Sequence, residues 1–192
     1  MSTSKALPVV VLAAFAAGCA TPALQSNGVT GLAGTYAITP PSACAMRSEG
    51  KKAFCMLGPG GPEGGAMLAV KSDRFTPQQV AATPDWDAWI LQNQAVNFTS
   101  EIEVVEVRGA EEAATAARIG AVRCLSLHMH LRSVLPDADD ASMTCVFTDL
   151  ASGSIDTVGA DYIEFRPDPA RPNAGFEERA NPFIHSLRRT SG

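Results

Sequence analysis

Between Val122 and Val134 the chain alternates with a period of two. Leu125, Leu127, Met129 and Leu131 take one side, and Ser126, His128, His130 and Arg132 take the other. Successive side chains of a strand point to opposite faces, so this stretch predicts a half-buried strand with one wet face. Shorter apolar runs predict strands over Thr35–Ile38, Ala66–Val70, Ile102–Val107, Met143–Asp149 and Asp161–Arg166, and Pro136–Asp140 predicts a turn. Helical spacing appears twice. Trp86, Trp89 and Ile90 stand at i, i+3 and i+4 in a helix over Asp85–Ala95, which Thr83 caps and Pro84 opens. Asp85 and Asp87 suit the positive end of its dipole. Phe176, Ala180, Phe183, Ile184 and Leu187 share one face of a helix over Phe176–Arg189, with Arg188 and Arg189 at its C-terminal end. Pro182 predicts a kink there, or a second helix capped by Asn181. A short helix over Glu111–Arg118 stops at Gly120. Strands with a central and a terminal helix predict an α+β fold, an antiparallel sheet packed against both helices.

The start of the chain follows different rules. Met1–Lys5 carries one positive charge, and Ala6–Ala17 is apolar and uncharged. Twelve helical residues span about 18 Å, short of the roughly 30 Å hydrocarbon core, so this pattern predicts a signal peptide rather than a permanent span. Ala16-Ala17-Gly18-Cys19 resembles the lipobox of bacterial lipoproteins, with Ala16 where Leu is commonest. The resemblance implies removal of residues 1–18 and lipidation of Cys19 as the first mature residue. Ala20, in place of Asp, resembles the sorting pattern for the outer membrane, so the expected location is the outer membrane, facing the periplasm. The membrane is then a partner through the anchor at Cys19, held stably by several acyl chains. The small, polar stretch Thr21–Gly34 predicts a flexible tether over 19–34, leaving 35–192 as one domain.

A formal charge of −5, with no basic patch, excludes nucleic acid as a partner. With Cys19 committed to lipid, Cys44, Cys55, Cys124 and Cys145 remain, an even number in an oxidising compartment. Four cysteines allow three pairings. Short loops favour Cys44–Cys55 and Cys124–Cys145. A regular hairpin centred on Pro136–Asp140 would not place the second pair opposite each other. The Gly-rich run Gly58–Gly65 lacks the Gly-Lys-Ser/Thr of a phosphate loop and predicts a connector.

Little chemistry stands out. There is no Gly-x-Ser-x-Gly elbow, and no thiol is left free if the disulfides form, so no catalytic residue and no cofactor are expected. His128 and His130 point the same way on a strand, about 7 Å apart, and with a third ligand would hold a metal. Alternation alone explains them as polar residues on a solvated face, so no catalytic metal is expected. His185 falls off the terminal helix's apolar stripe and reads as a surface residue. Asp137, Asp139 and Asp140 lack EF-hand spacing and read as a solvated turn.

Cys124, the acidic turn, Cys145, Tyr162–Arg166 and the closing Phe176…Phe183-Ile184-His185-Ser186-Leu187 resemble a group of uncharacterised proteobacterial lipoproteins. The closing segment is also similar to the terminal helix of PsbP/Mog1-like domains, a likeness over residues 65–189. Neither resemblance implies an activity. The function expected is that of a lipid-anchored, non-enzymatic envelope module binding a protein or small molecule. The alternative is a metal-binding protein or metal-dependent enzyme using His128 and His130.

Overall fold

Two antiparallel sheets account for the strands of the described residues. In the computed structural model these residues are 28–31, 34–58, 64–79, 85–96, 101–132, 137–148, 153–166 and 173–191. Cys19, the expected signal peptide and Thr83-Pro84 lie outside them. The large sheet contains β3 (Arg47–Glu49), β4 (Lys52–Leu57), β5 (Gly65–Phe75), β6 (Glu101–Arg108), β7 (Arg123–Arg132), β8 (Ala138–Thr148) and β9 (Ile155–Phe165). Its order is β3-β4-β5-β9-β8-β7-β6. The small sheet is β1 (Gly28–Gly31), β2 (Gly34–Ala37) and β10 (Arg188–Ser191), with β2 in the centre. The helices are α1 (Trp86–Val96), α2 (Ala113–Ile119) and α3 (Phe176–Ile184). The fold is α+β.

The chain runs β3-β4-β5 as one meander and crosses through α1 to the far edge. It returns through β6-β7-β8-β9, until β9 closes against β5 over eleven paired residues. Both faces of this sheet carry a core. On one, Leu68, Met143, Phe147, Val158 and Ala160 pack with Tyr36, Phe183, Ile184 and Leu187. On the other, Leu125, Leu127, Met129, Val146 and Ile155 pack with Ile90 and the partly buried Trp86 and Trp89. Trp89 meets Phe75 and Trp86 edge-on, at ring separations of 5.0 and 5.8 Å, so the Trp stripe faces the core.

Several expectations change here. The polar face of β7 is covered over most of its length, and only Arg132 at its end is exposed. α2 lies against β7 and α3 against β8 and β9, so Ser126 is buried and His128 and His130 are half-buried. Period two tells which residues share a face, not whether another element covers it. The Pro136–Asp140 turn gives way at Ala138, where β8 begins, and Asp139 and Asp140 are 2% and 0% exposed. β1 falls inside the expected tether, because its backbone pairs with β2 from Gly28↔Ala37 to Gly31↔Gly34. Arg188 and Arg189 end no helix. They extend along the free edge of β2, opposite Ala37 and Tyr36. α3 runs through Pro182 and ends two residues later, so the missing N–H falls in the last turn. The cap of α1 is Asp85, whose Oδ1 accepts from the backbone N–H of Asp87 and Ala88 at 3.1 and 3.3 Å. Gly120 ends α2 in the left-handed region, φ 75°, where a Cβ would be strained.

Candidate functional site

The β7–β8 register decides which side chains meet beneath α3. Cys124 lies directly opposite Cys145, with Cα atoms 4.1 Å apart, and the two form a disulfide. Cys44 and Cys55 form the second, with Cα atoms 5.8 Å apart. Six residues along each strand from Cys124–Cys145, His130 lies opposite Asp139. In the neighbouring row, Tyr162, Ala141 and His128 line up across β9, β8 and β7. The first residue of α3, Phe176, closes over this row. Its ring stacks on His128 with centroids 5.0 Å apart and meets Tyr162 at 5.9 Å.

Asp139 is the hub. It accepts from Arg166, through Nε to Oδ2 at 2.7 Å and through Nη2 to Oδ1, and from Asn173 Nδ2 at 2.9 Å. His130 Nδ1 lies against Oδ1 of the same carboxylate and 2.8 Å from Arg166 Nη2. His128 Nε2 is 4.0 Å from Asp139 Oδ1, and its Nδ1 is 3.6 Å from Glu177. That Nε2 is buried without a hydrogen-bond partner among the described residues. Burial holds His128 below the usual imidazole range, against the opposing pull of Asp139. One ligand atom each from His128, His130 and Asp139 lie within 4.8 Å of one another.

A second constellation joins α2, β7 and α3. Glu112, 2% exposed, accepts from Ser126 Oγ–H and from His185 Nε2 at 2.8 Å. His185 Nδ1 is 2.9 Å from the Asn181 carbonyl. With an acceptor at each ring nitrogen, the surroundings favour the imidazolium form of His185. The Glu112 carboxylate accordingly raises it above the usual imidazole range, against burial. Burial pushes Glu112 upward, yet the hydrogen bonds from His185 and Ser126 carry it below the usual carboxylate range. His185 is therefore no incidental surface residue. A cleft of about 20 Å³, room for one water, runs between the two constellations, lined by Ser126, His128, Glu177, Asn181 and His185 among others.

The sheet is the platform for both. Its architecture is similar to that of LpqN. LpqN, a protein involved in cell envelope biogenesis of Mycobacterium tuberculosis, matches with a TM-score of 0.53 and 13% sequence identity. The match covers 84% of this chain and 88% of LpqN. At that identity the likeness to LpqN is one of fold. No protein-family model matches the chain, and no curated protein matches it either.

On the opposite face the neighbouring residue, Asp140, has a different environment. Its register row reads Met67, Ile163, Asp140, Met129. Among the described residues neither of its carboxylate oxygens has a hydrogen-bond partner, and the same holds for Ser142 Oγ two residues on. Burial, and then the nearby Asp161, push Asp140 well above the usual carboxylate range, while Lys71 opposes them. Lys71 reaches Asp161 at 3.5 Å and lies over Gly159, where an added Cβ would meet its Cε at 3.3 Å. An open recess of about 480 Å³ lies beside this group, between Phe54, Met67 and Ile163 with Lys52, Asp73 and Asp161.

Asp139, Arg166, Asn173 and Glu112 escaped the sequence reading. For Asp139 a signal existed. Taking the favoured Cys124–Cys145 pair as a cross-strand pair fixes the register and places Asp139 opposite His130. No comparable signal points to Arg166 or Asn173, which come from beyond β9.

Proposed function

We propose that this chain is a lipid-anchored, non-enzymatic binding module of the cell envelope. The observation that carries the proposal is the tying of Asp139 and of His185 to charged and backbone partners beneath α3. Arg166 clamps Asp139 through two nitrogens, and His185 is held between the Asn181 carbonyl and Glu112. Groups tied this way brace α3 on the sheet. A general base, by contrast, needs a lone pair within reach of a substrate proton, which His185, engaged at both ring nitrogens, does not offer. The lipobox-like Ala16–Cys19 supports a lipid anchor, Ala20 after it supports the outer membrane, and the fold likeness to LpqN supports a role in the envelope.

Palmitate labelling with membrane fractionation tests the anchor. The wild type should carry label and sediment with the outer membrane, whereas Cys19→Ser should be unlabelled and free in the periplasm. Acylated Cys19→Ser protein would overturn the anchor. The binding role is read by restoring a deletion strain. His185→Gln should restore it fully if folded, because it removes proton chemistry but not the surface. Failure of a stably folded His185→Gln protein would count against a non-enzymatic module.

A further inference from the structure

We infer that His128, His130 and Asp139 form a binding site for a borderline divalent transition metal such as zinc, with Arg166 occupying its place when the metal is absent. The inference is independent of the module proposed above and would hold for an enzyme equally. It begins from three ligand atoms already gathered within 4.8 Å on two paired strands. A tetrahedral metal with bonds of about 2.0–2.2 Å holds its ligands roughly 3.3–3.6 Å apart, so the group needs only a small adjustment. Two imidazoles and one carboxylate are a donor set that suits zinc, copper and nickel better than calcium or magnesium.

The surroundings are arranged as outer partners of metal ligands are. His128 Nδ1 faces Glu177 at 3.6 Å, which turns Nε2 inward, and that buried Nε2 has no partner. A carboxylate behind an imidazole fixes the tautomer and strengthens the ligand nitrogen. Asp139 Oδ2 is held by Arg166 Nε and Asn173 Nδ2, which leaves Oδ1 to face the histidines. Arg166 Nη2 now sits at that Oδ1 and 2.8 Å from His130 Nδ1. One imidazole nitrogen cannot donate to Asp139 and accept from Arg166 at once. A metal taking the position of Nη2 resolves this, while Nε stays on Oδ2. Access exists from both sides. His130 and Arg166 line a recess of about 270 Å³, and His128 lines the cleft toward His185. Glu106 lies opposite His128 and Glu177 lies near it, and each is also paired with Arg108, at 2.6 and 3.3 Å.

Zinc titration of the full-length, tag-free protein in detergent, with a competing chromophoric indicator, tests the site. The wild type should bind one zinc. Asp139→Asn and His128→Gln should each weaken it by about 100-fold or more. Nitrogen-15 spectra of the wild type should also show zinc shifting the Arg166 Nη signals, because Nη2 leaves Asp139 Oδ1 while Nε stays on Oδ2. Unmoved Arg166 signals would overturn its place in the proposal. Nitrogen-15 spectra of the wild-type histidines supply a readout that needs no variant. Zinc should move the ring nitrogens of His128 and His130 and leave His185 unmoved. A shift at His185 alone, or zinc bound no tighter than by a His128→Gln/His130→Gln double variant, would refute the site.

Discussion

Asp139 and Asp140 are neighbours in sequence and both are shut away from water, yet they live in opposite chemistry. Asp139 collects Arg166, Asn173 and His130 beneath α3. Asp140 faces the other side of the same strand, between Met129 and Ile163, with no hydrogen-bond partner for either oxygen among the described residues. Burial is equal, so burial is not what distinguishes them. The difference comes from what the following segments bring to each face. Arg166 and Asn173 arrive over one side, while the apolar core around α1 and the Lys71–Asp161 pair border the other. A buried carboxylate with partners is costly to remove, because removal leaves them unpaired, whereas one without partners costs free energy to keep.

The same substitution at the two positions should therefore act with opposite sign. Asp139→Ala leaves Arg166 charged, 13% exposed and without its carboxylate, and should cost about 3–5 kcal/mol. Asp140→Ala removes an unpartnered group, and at neutral pH should leave the protein as stable or up to about 2 kcal/mol more stable. Urea unfolding of both variants decides this. A similar loss at the two positions would mean that burial alone governs them.

The disulfide sharpens the comparison by separating register from chemistry. Replacing Cys124 and Cys145 together by Ala removes a link across a sequence separation of 21, worth about 3 kcal/mol in the chain-entropy model. Nine β7–β8 pairs remain, so His130 should still lie opposite Asp139. Loss of nuclear Overhauser contacts between those two residues in the double variant would show that the disulfide sets the register.

The Glu112–His185 pair should give a smaller, pH-dependent effect. His185 is raised above 6.5 by Glu112, so its contribution is complete below that value and fades as pH rises through the raised one. Glu112 is lowered below 4.5, so its contribution is complete above 4.5 and fades as pH falls through the lowered one. The pair therefore contributes most between 4.5 and 6.5. His185→Gln should cost about 1–2 kcal/mol there, at the low end for a charged hydrogen bond because the imidazole is 39% exposed. The cost should shrink toward pH 9. A pH-independent cost would assign His185 a packing role instead.

Much of the architecture was legible in the residues, and the comparison explains where legibility stopped. The alternation from Leu125 to Arg132 marked β7, the Trp86–Trp89–Ile90 spacing marked α1, and the Phe176–Ile184 stripe marked α3. Each signal is local and needs only period and polarity. The site beneath α3 is not local. Asp139 was read into a turn because Pro136 and three aspartates resemble one, although the strand begins at Ala138. Arg166 and Asn173 reach Asp139 across 27 and 34 residues, and nothing in composition or spacing announces such contacts. Arg188 and Arg189 looked like the basic end of a helix because the free edge of β2, which recruits them, belongs to the other end of the chain.

A double-mutant cycle between Asp139 and Arg166 tests most directly whether partners, rather than burial, build the site beneath α3. Unfolding free energies of wild type, Asp139→Ala, Arg166→Ala and the double variant give the coupling between them. Two bonds from one guanidinium to one buried carboxylate should give about 2 kcal/mol or more, with the double variant more stable than either loss summed would allow. Additivity within about 0.5 kcal/mol would show that the two side chains do not act together. The difference between Asp139 and Asp140 would then need another cause.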